Sequence, residues 1–361
     1  MQAPKALIRA LVDTDALRHN LQRVRAAAPA ARVMSVIKAN AYGHGLVPAA
    51  KALLATDGYA VARLEEGLAL RAAGLTQRVL LLEGVFNADQ LDAAVQQRFD
   101  LMVHSPEQLA LLEQRGQQGE LRLWIKIDTG MNRLGFRVED FADAHARLLR
   151  IAGPDNAPAL VTHLANADDR RDPLTARQLR AFEDVTRGLP GERSLANSAG
   201  LLGWPSSRGD WVRPGLALYG ATPFPSGHAE DFGLRAVMTL QSEVIAVKTV
   251  RTGETVGYGA GWRAERDTRI AVAAAGYGDG YPRSTASGAP IAINGHRAPL
   301  VGRVSMDMVA IDVTELPAIA VGDPVVLWGE GVPVEEVARC AATIPYELLC
   351  GVSQRVQHEV R

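Results

Sequence analysis

The stretch Val36-Ile37-Lys38-Ala39-Asn40-Ala41-Tyr42-Gly43-His44-Gly45 places a lysine at the end of an apolar run, with a polar, glycine-bearing turn after it. The run from Val33 to Ile37 reads as a buried strand, so the Lys38 ammonium sits at the rim of a packed core. Desolvating an ammonium favours the neutral, nucleophilic amine, which is what a Schiff-base lysine needs. Taken alone, a strand-end lysine is far more often a side chain snorkelling to water. Further polar residues follow other apolar runs: Lys126 and Asp128 with Arg133 just beyond, then His163, Asn197-Ser198 and Arg213. A histidine after a strand is often a hydrogen-bonded core residue and a loop arginine is usually solvated. Solubility does not explain so many at the same end of successive strands.

The elements that must position these residues follow from periodicity. Candidate strands are Val33–Lys38, Tyr59–Ala62, Val79–Glu83, Leu101–His104, Leu121–Asp128, Leu160–Leu164 and Arg193–Asn197, with another near Trp211–Val212. Helical patterns lie between them, among them Asp15–Ala27, Leu64–Ala73, Pro106–Arg115 and Leu174–Gly188. About eight β/α units in some 220 residues fit a TIM (β/α)8 barrel, although periodicity alone leaves an open sheet available. In such a barrel the strand C-termini converge on one mouth, which carries the active site. After Phe232 the pattern becomes strand-like, from Leu234–Val250 to Pro324–Trp328, with the turn signals Thr252-Gly253 and Asn294-Gly295 and one late helix at Val334–Ala342. We expect a barrel domain over residues 1–230 and a mostly β domain over 231–361, joined through Pro223–Gly233; the first residues can pack with the second domain.

Composition narrows the function classes. The 361 residues are 47% hydrophobic and 22% charged, with a net charge of −1, so the basic excess typical of a nucleic-acid binder is absent. No apolar run reaches a membrane span, and residues Met1–Asp13 lack a secretory pattern, so the expected location is cytoplasmic. Cys340 and Cys350 form neither a disulfide framework nor a metal cluster and are expected to pack as small hydrophobes; no metal is expected. The words Gly257-Tyr-Gly-Ala-Gly and Gly276-Tyr-Gly-Asp-Gly lie among strands with no following helix. They read as turns presenting Tyr258 and Tyr277 rather than as nucleotide loops.

The words around these residues resemble the alanine racemase family. Ile37-Lys38-Ala-Asn-Ala-Tyr42-Gly-His-Gly resembles its pyridoxal 5'-phosphate (PLP) lysine motif. Lys126-Ile-Asp-Thr-Gly-Met-Asn-Arg133-Leu-Gly, Val-Thr-His163-Leu-Ala-Asn-Ala-Asp168, Ala-Asn197-Ser198-Ala and Val-Arg213-Pro-Gly215-Leu216 follow in the family's order. The second half adds Val-Gly-Tyr258-Gly, Ala-Gly-Tyr277-Gly-Asp-Gly-Tyr, Gly-Arg303-Val-Ser-Met306-Asp307 and Thr-Ile344-Pro-Tyr346-Glu. The resemblance covers residues from about 30 to 350.

The resemblance implies interconversion of L- and D-alanine by two bases. Lys38 carries PLP and works on one face; Tyr258 of a second subunit works on the other, so the active unit is a homodimer. It implies that Arg213 faces the pyridine nitrogen and that His163 hydrogen-bonds Arg213 or Tyr258. A guanidinium cannot accept a proton, so the ring nitrogen stays unprotonated and a weaker electron sink. Tyr42, Tyr346, Ser198 and the backbone of Gly215 and Leu216 hold the phosphate; Arg133 and the Met306 backbone hold the substrate carboxylate. Lys126, carbamylated in relatives that have it, orients Arg133, with an ordinary salt bridge to Asp128 as the alternative. Asn197 and Asp307 support the site, and Asp168, Tyr277, Arg283, Arg303 and Ile344 form the entry corridor with Tyr346. Ser305 stands where many relatives have Cys, and the tail Gln354–Arg361 diverges, which is expected to affect C-terminal packing only. Two other readings follow from the same fold. A basic amino-acid decarboxylase would want an acidic partner where Arg213 stands, and a non-catalytic PLP-binding barrel would lack the second domain. The resemblance leaves open whether D-alanine serves as a peptidoglycan precursor or L-alanine is catabolised.

Overall fold

The computed structural model describes residues 6–116, 121–153 and 156–361. The first described strand, β1 (Arg9–Val12), belongs with the end of the chain and is taken up below. The next strands are β2 (Arg32–Val36), β3 (Gly58–Val61), β4 (Val79–Leu81), β5 (Asp100–Val103), β6 (Leu123–Asp128), β7 (Phe136–Arg137), β8 (Ala159–Val161), β9 (Arg193–Ser194) and β10 (Trp211–Val212). Eight of them pair in parallel in the order β5-β4-β3-β2-β10-β9-β8-β6, and β6 returns to β5, closing a barrel. The short β7 hangs on β6. Strands β3, β4 and β5 are buried throughout, as parallel strands covered on both faces must be. Helices cover the outside, and several start at side-chain caps: Asp13 accepts from the Asp15 and Ala16 amides, Asn87 from Gln90 and Ser105 from Gln108.

The later strands of the barrel are shorter than their apolar runs suggest. The run Leu160–Leu164 leaves the sheet after Val161, and Arg193–Asn197 leaves after Ser194. His163 and Asn197 therefore stand in loops just past the ladder. Lys38 likewise lies beyond β2, which ends at Val36.

Residues 223–237 lead into the second half. This half contains β11 (Met238–Val250), β12 (Thr255–Val256), β13 (Trp262–Arg263), β14 (Thr268–Ala273), β15 (Pro290–Ile293), β16 (His296–Val301), β17 (Val309–Asp312), β18 (Pro324–Trp328) and β19 (Gln357–Val360). Strand β11 is 13 residues long, with a register shift between Val244 and Ala246. Its first part pairs with β1 and β18 and its second with β14, so it closes the ring β14-β17-β16-β15-β18-β11. A bulge is the usual device for such a bend. Asn294 and Gly295, at φ of 50° and 79°, make the tight β15–β16 turn.

The late helix runs Val334–Cys340, and a second helix, Pro345–Cys350, follows it. Strand β1 lies between β11 and β19, paired in parallel with β19, so both ends of the chain join the C-terminal sheet. One continuous apolar core runs through both halves. The buried Glu335 carboxylate accepts from the Thr222 and Ala229 amides at 2.8 and 3.2 Å and pins the connection between them. Among the described residues, no helix is long and apolar enough to cross a membrane.

Candidate active site

At the C-terminal mouth of the barrel lies a cavity of about 900 Å³. Its walls bring together Lys38, Tyr42, Lys126, Arg133, His163, Asp168, Asn197, Ser198, Arg213, Gly215, Leu216, Ile344 and Tyr346. Most of these residues follow barrel strands far apart in sequence, whose C-termini the closed parallel barrel puts on one rim; Ile344 and Tyr346 come from the start of the helix Pro345–Cys350 in the second half.

Lys38 opens a turn of the wrong hand. Ala39, Asn40, Ala41 and Tyr42 have φ of 53°, 54°, 55° and 52°, a left-handed turn built without glycine. Each such residue is disfavoured by about 1–2 kcal/mol, so the surroundings must hold the turn in place. The Ala39 amide donates to Glu66 Oε1 at 2.7 Å, and the Leu46 amide donates to Asn40 Oδ1 at 2.8 Å. Gly43 ends the turn at φ 80°, where a Cβ would stand 2.1 Å from the Leu349 carbonyl oxygen. Beneath it, His44 is buried and lies against Tyr219, which in turn stacks on the Tyr42 ring. Burial pushes the His44 imidazole down to about 4, so it is neutral at pH 7.

Opposite lies a positively charged wall. Arg213 is 4% exposed and donates to Ser194 Oγ, to the Thr162 carbonyl and, more distantly, to the Leu195 carbonyl, at 2.6, 2.7 and 3.4 Å. Its bonds go to these groups rather than to His163. Burial lowers its pKa to about 10, which leaves it cationic at neutral pH. Among the described residues, no carboxylate lies within ion-pair distance of it. Lys126 is 8% exposed, and burial together with Arg133 and Arg213 lowers its pKa to about 8. Asp128 opposes that shift, yet its Oδ1 is occupied by the amides of Gly130, Met131 and Asn132 at 2.9–3.0 Å. The Asp128 carboxylate thus shapes the turn carrying Arg133 and makes no direct salt bridge with Lys126. Burial and then Arg213 hold His163 well below the usual histidine range, so it is a neutral imidazole.

The remaining wall is a cradle of hydroxyls and backbone amides. Ser198 Oγ accepts from the Gly215 and Ala217 amides at 3.0 and 3.2 Å. A Cβ on Gly215 would lie 2.3 Å from the Tyr42 hydroxyl, so only glycine lets backbone, Tyr42 and Ser198 close on one point. Tyr346 adds a second phenol, its ring 5.8 Å from that of Tyr42. Burial, reinforced by Asp168, pushes the Tyr346 phenol up to about 12. Asn197 caps the helix Ser198–Gly203 through the Gly200 amide.

Tyr258, Tyr277, Arg283, Arg303, Met306 and Asp307 do not line this cavity; all six are on the C-terminal domain. Tyr258 is 67% exposed and Met306 52%. The Tyr277 and Gly278 amides donate to the Ser305 and Met306 carbonyls at 3.0 and 2.8 Å, tying the two turns together. Arg303 lies under the Tyr258 turn, 3.0 Å from where a Cβ on Gly259 would stand.

Several supporting residues escaped the sequence reading. Glu66 accepts from the Ala39 amide next to Lys38. Gln178, buried on the helix Leu174–Thr186, accepts from the Ala165 amide and donates to the His163 carbonyl, fixing the loop that carries His163. Its signal was a fully polar side chain on the inward face of an amphipathic helix. The divergent tail reaches both clusters, contrary to the expectation that it affects packing alone. Arg355 donates to Asp279 and Asp307 at 2.6 and 2.7 Å, and His358 Nε2 lies 2.8 Å from the Gly43 carbonyl oxygen. Strand β19 carries His358 there by pairing with β1, and Arg355 lies just before that strand. Cys350 also departs from expectation, being exposed and on the cavity wall. Among the described residues, no group of three or more metal-ligating side chains is present.

Two family profiles match the chain. "Alanine racemase, N-terminal domain" covers residues 12–223 and "Alanine racemase, C-terminal domain" covers 237–360. The chain is 51% identical to the alanine racemase of Nitrosococcus oceani over 96% of its own length and 97% of the relative's. It is 44% identical to a biosynthetic alanine racemase from Pseudomonas aeruginosa whose crystal structure superposes with a TM-score of 0.95, covering 99% of this chain and 100% of that one. A Bartonella henselae alanine racemase, solved with covalently bound pyridoxal phosphate, is 29% identical with a TM-score of 0.87, covering 99% of this chain and all of that one.

Proposed function

Since the chain belongs to the alanine racemase family and is an isomerase that interconverts the enantiomers of alanine, we propose that it does so as a PLP enzyme with sites shared between two subunits. The supporting observation is the convergence, in one cavity, of Lys38, the buried Arg213 and the cradle around Gly215. The donor set fits PLP: an amine for its aldehyde, hydroxyls and amides for its phosphate, and a cation for its ring nitrogen. When bound there, PLP supplies an electron sink that acidifies the alanine Cα–H.

The residues divide the work. Tyr42, Tyr346, Ser198 and the amides of Gly215 and Leu216 hold the phosphate. Arg213, tied to Ser194 and Thr162, keeps a donor at the ring nitrogen and no acid, which limits delocalisation and favours return of the proton to Cα. Lys38 exchanges a proton on one face. Inversion requires a second acid/base group on the opposite face, and Tyr258 of a partner subunit fits that role. In support, Tyr258, Met306 and Arg303 form a solvent-facing cluster outside this chain's own cavity. A two-fold dimer seating each C-terminal cluster on the other subunit's barrel mouth completes both sites. Arg133 and the partner's Met306 amide then take the alanine carboxylate. Asp168 and Ile344, with the partner's Tyr277, Arg283 and Arg303, restrict entry to small side chains. Lys126, largely desolvated among cations, is suited to carbamylation: its neutral amine adds CO2 and loses a proton, and the resulting anion orients Arg133. Two domains, 1–230 and 231–361, with strand β1 of the first packed in the sheet of the second, are the units of this arrangement.

The test is an absorbance spectrum of the purified protein before and after borohydride, followed by peptide mapping. A band near ~420 nm that reduction abolishes, with the pyridoxyl mass on Lys38, is expected. No band, and none on adding PLP, overturns the cofactor assignment.

A further inference from the structure

We propose that Glu66 is a positioning residue for the PLP lysine, holding the left-handed turn that begins at Lys38 by clamping it to the first turn of the neighbouring helix. The inference rests on the reading of Lys38 above. Glu66 lies on the helix Leu64–Ala72, at its third position, after the end of β3. Its two carboxylate oxygens have different tasks. Oε2 accepts from the Ala62 and Arg63 amides at 2.8 and 3.2 Å and caps its own helix. Oε1 accepts from the Ala39 amide at 2.7 Å, one residue after Lys38. One side chain therefore joins the ends of two adjacent barrel strands, β2 and β3, at the point where the chain adopts the disfavoured hand.

The geometry explains why a carboxylate is needed. The turn residues Ala39 to Tyr42 carry positive φ without any glycine, so they revert toward the right-handed form unless external bonds hold them. Ala39 is the first of the four and is exposed. A glutamine can replace only half of the clamp. Its single carbonyl oxygen can keep the helix cap, since Gln serves at this capping position. Its NH2 must then face the Ala39 N–H, donor against donor. Glu66→Gln thus separates the cap from the clamp.

The experiment measures two quantities on the full-length Glu66→Gln protein. The first is the dissociation constant for PLP added back to the resolved apoprotein, read by absorbance. The second is amide hydrogen exchange over residues 39–42 in the apoprotein. Loss of a charge-assisted bond predicts about ten-fold weaker PLP binding and about ten-fold faster exchange in this segment, with the thermal midpoint lowered by no more than about 2 °C. Adding Ala39→Gly should restore most of the lost PLP affinity, because glycine reaches the left-handed region without strain. Wild-type affinity and exchange in Glu66→Gln overturn the proposal, and so does failure of Ala39→Gly to recover affinity. If wild-type protein itself binds no PLP, the cofactor reading fails instead, and the exchange data still decide whether Glu66 holds the turn.

Discussion

At the barrel mouth, Lys126 and Arg213 are buried, and Arg213 is bound to fixed partners. On the C-terminal domain, Tyr258 and Met306 stand mostly in solvent on turns braced from behind. The barrel residues draw their properties from desolvation, which moves Lys126 to about 8 and Arg213 to about 10. The C-terminal residues receive no such environment from their own chain. The first cluster is preorganised by the fold; in the proposed shared site the second is completed against a partner subunit's barrel mouth, which would tie activity to association.

The sharpest way to break this comparison is to separate the clusters. Lys38→Ala and Tyr258→Phe should each lower kcat by ~10²–10⁴, the usual range for a general acid/base. Co-expressed in equal amounts, the two variants should recover about a quarter of wild-type activity, since half the dimers are hybrids with one intact site in two. Zero recovery, or a fully active monomer, would refute the shared site.

Lys126 tests the desolvated wall. With its pKa at about 8, the charged form dominates below that pH and the neutral amine grows as pH rises through it. Carbamate at Lys126 should therefore increase between pH 7 and 9, seen as a ¹³C signal from labelled bicarbonate. Lys126→Ala should abolish the signal and raise the alanine KM about ten-fold by freeing Arg133. A signal that persists in the variant would place the carbamate elsewhere.

A smaller effect is expected at the C-terminal cluster. Arg355 links Asp279 to Asp307 beside Met306, and it is half-exposed. Arg355→Ala should raise the alanine KM about three-fold and weaken inhibition by propionate to the same degree, with kcat and PLP absorbance unchanged. A drop in kcat with KM constant would contradict a role in carboxylate binding.

The chemistry of this protein was legible in its sequence wherever residue type and local period suffice. Lys38 after an apolar run, Arg213 and His163 at later strand ends, and Tyr258 between glycines stand out locally as candidates, and the family resemblance gives them roles. Alternating β/α periods fit a barrel without excluding an open sheet, and a barrel implies a common mouth. The left-handed turn at Ala39–Tyr42 left no such mark, because no glycine stands there and contacts 27 and 315 residues apart in sequence brace it. Glu66 reads as an ordinary first-turn acid, Gln178 as a helix polar residue, and Arg355 and His358 as a divergent tail. Glu66 gains its partner from the adjacency of β2 and β3, Arg355 and His358 from the pairing of β19 with β1, and Gln178 from the packing of its helix on the loop after β8. Local free energies are encoded in neighbouring residues; the clamps, the desolvation of Lys126 and the exposure of Tyr258 arise from contacts that exist only once the chain has folded.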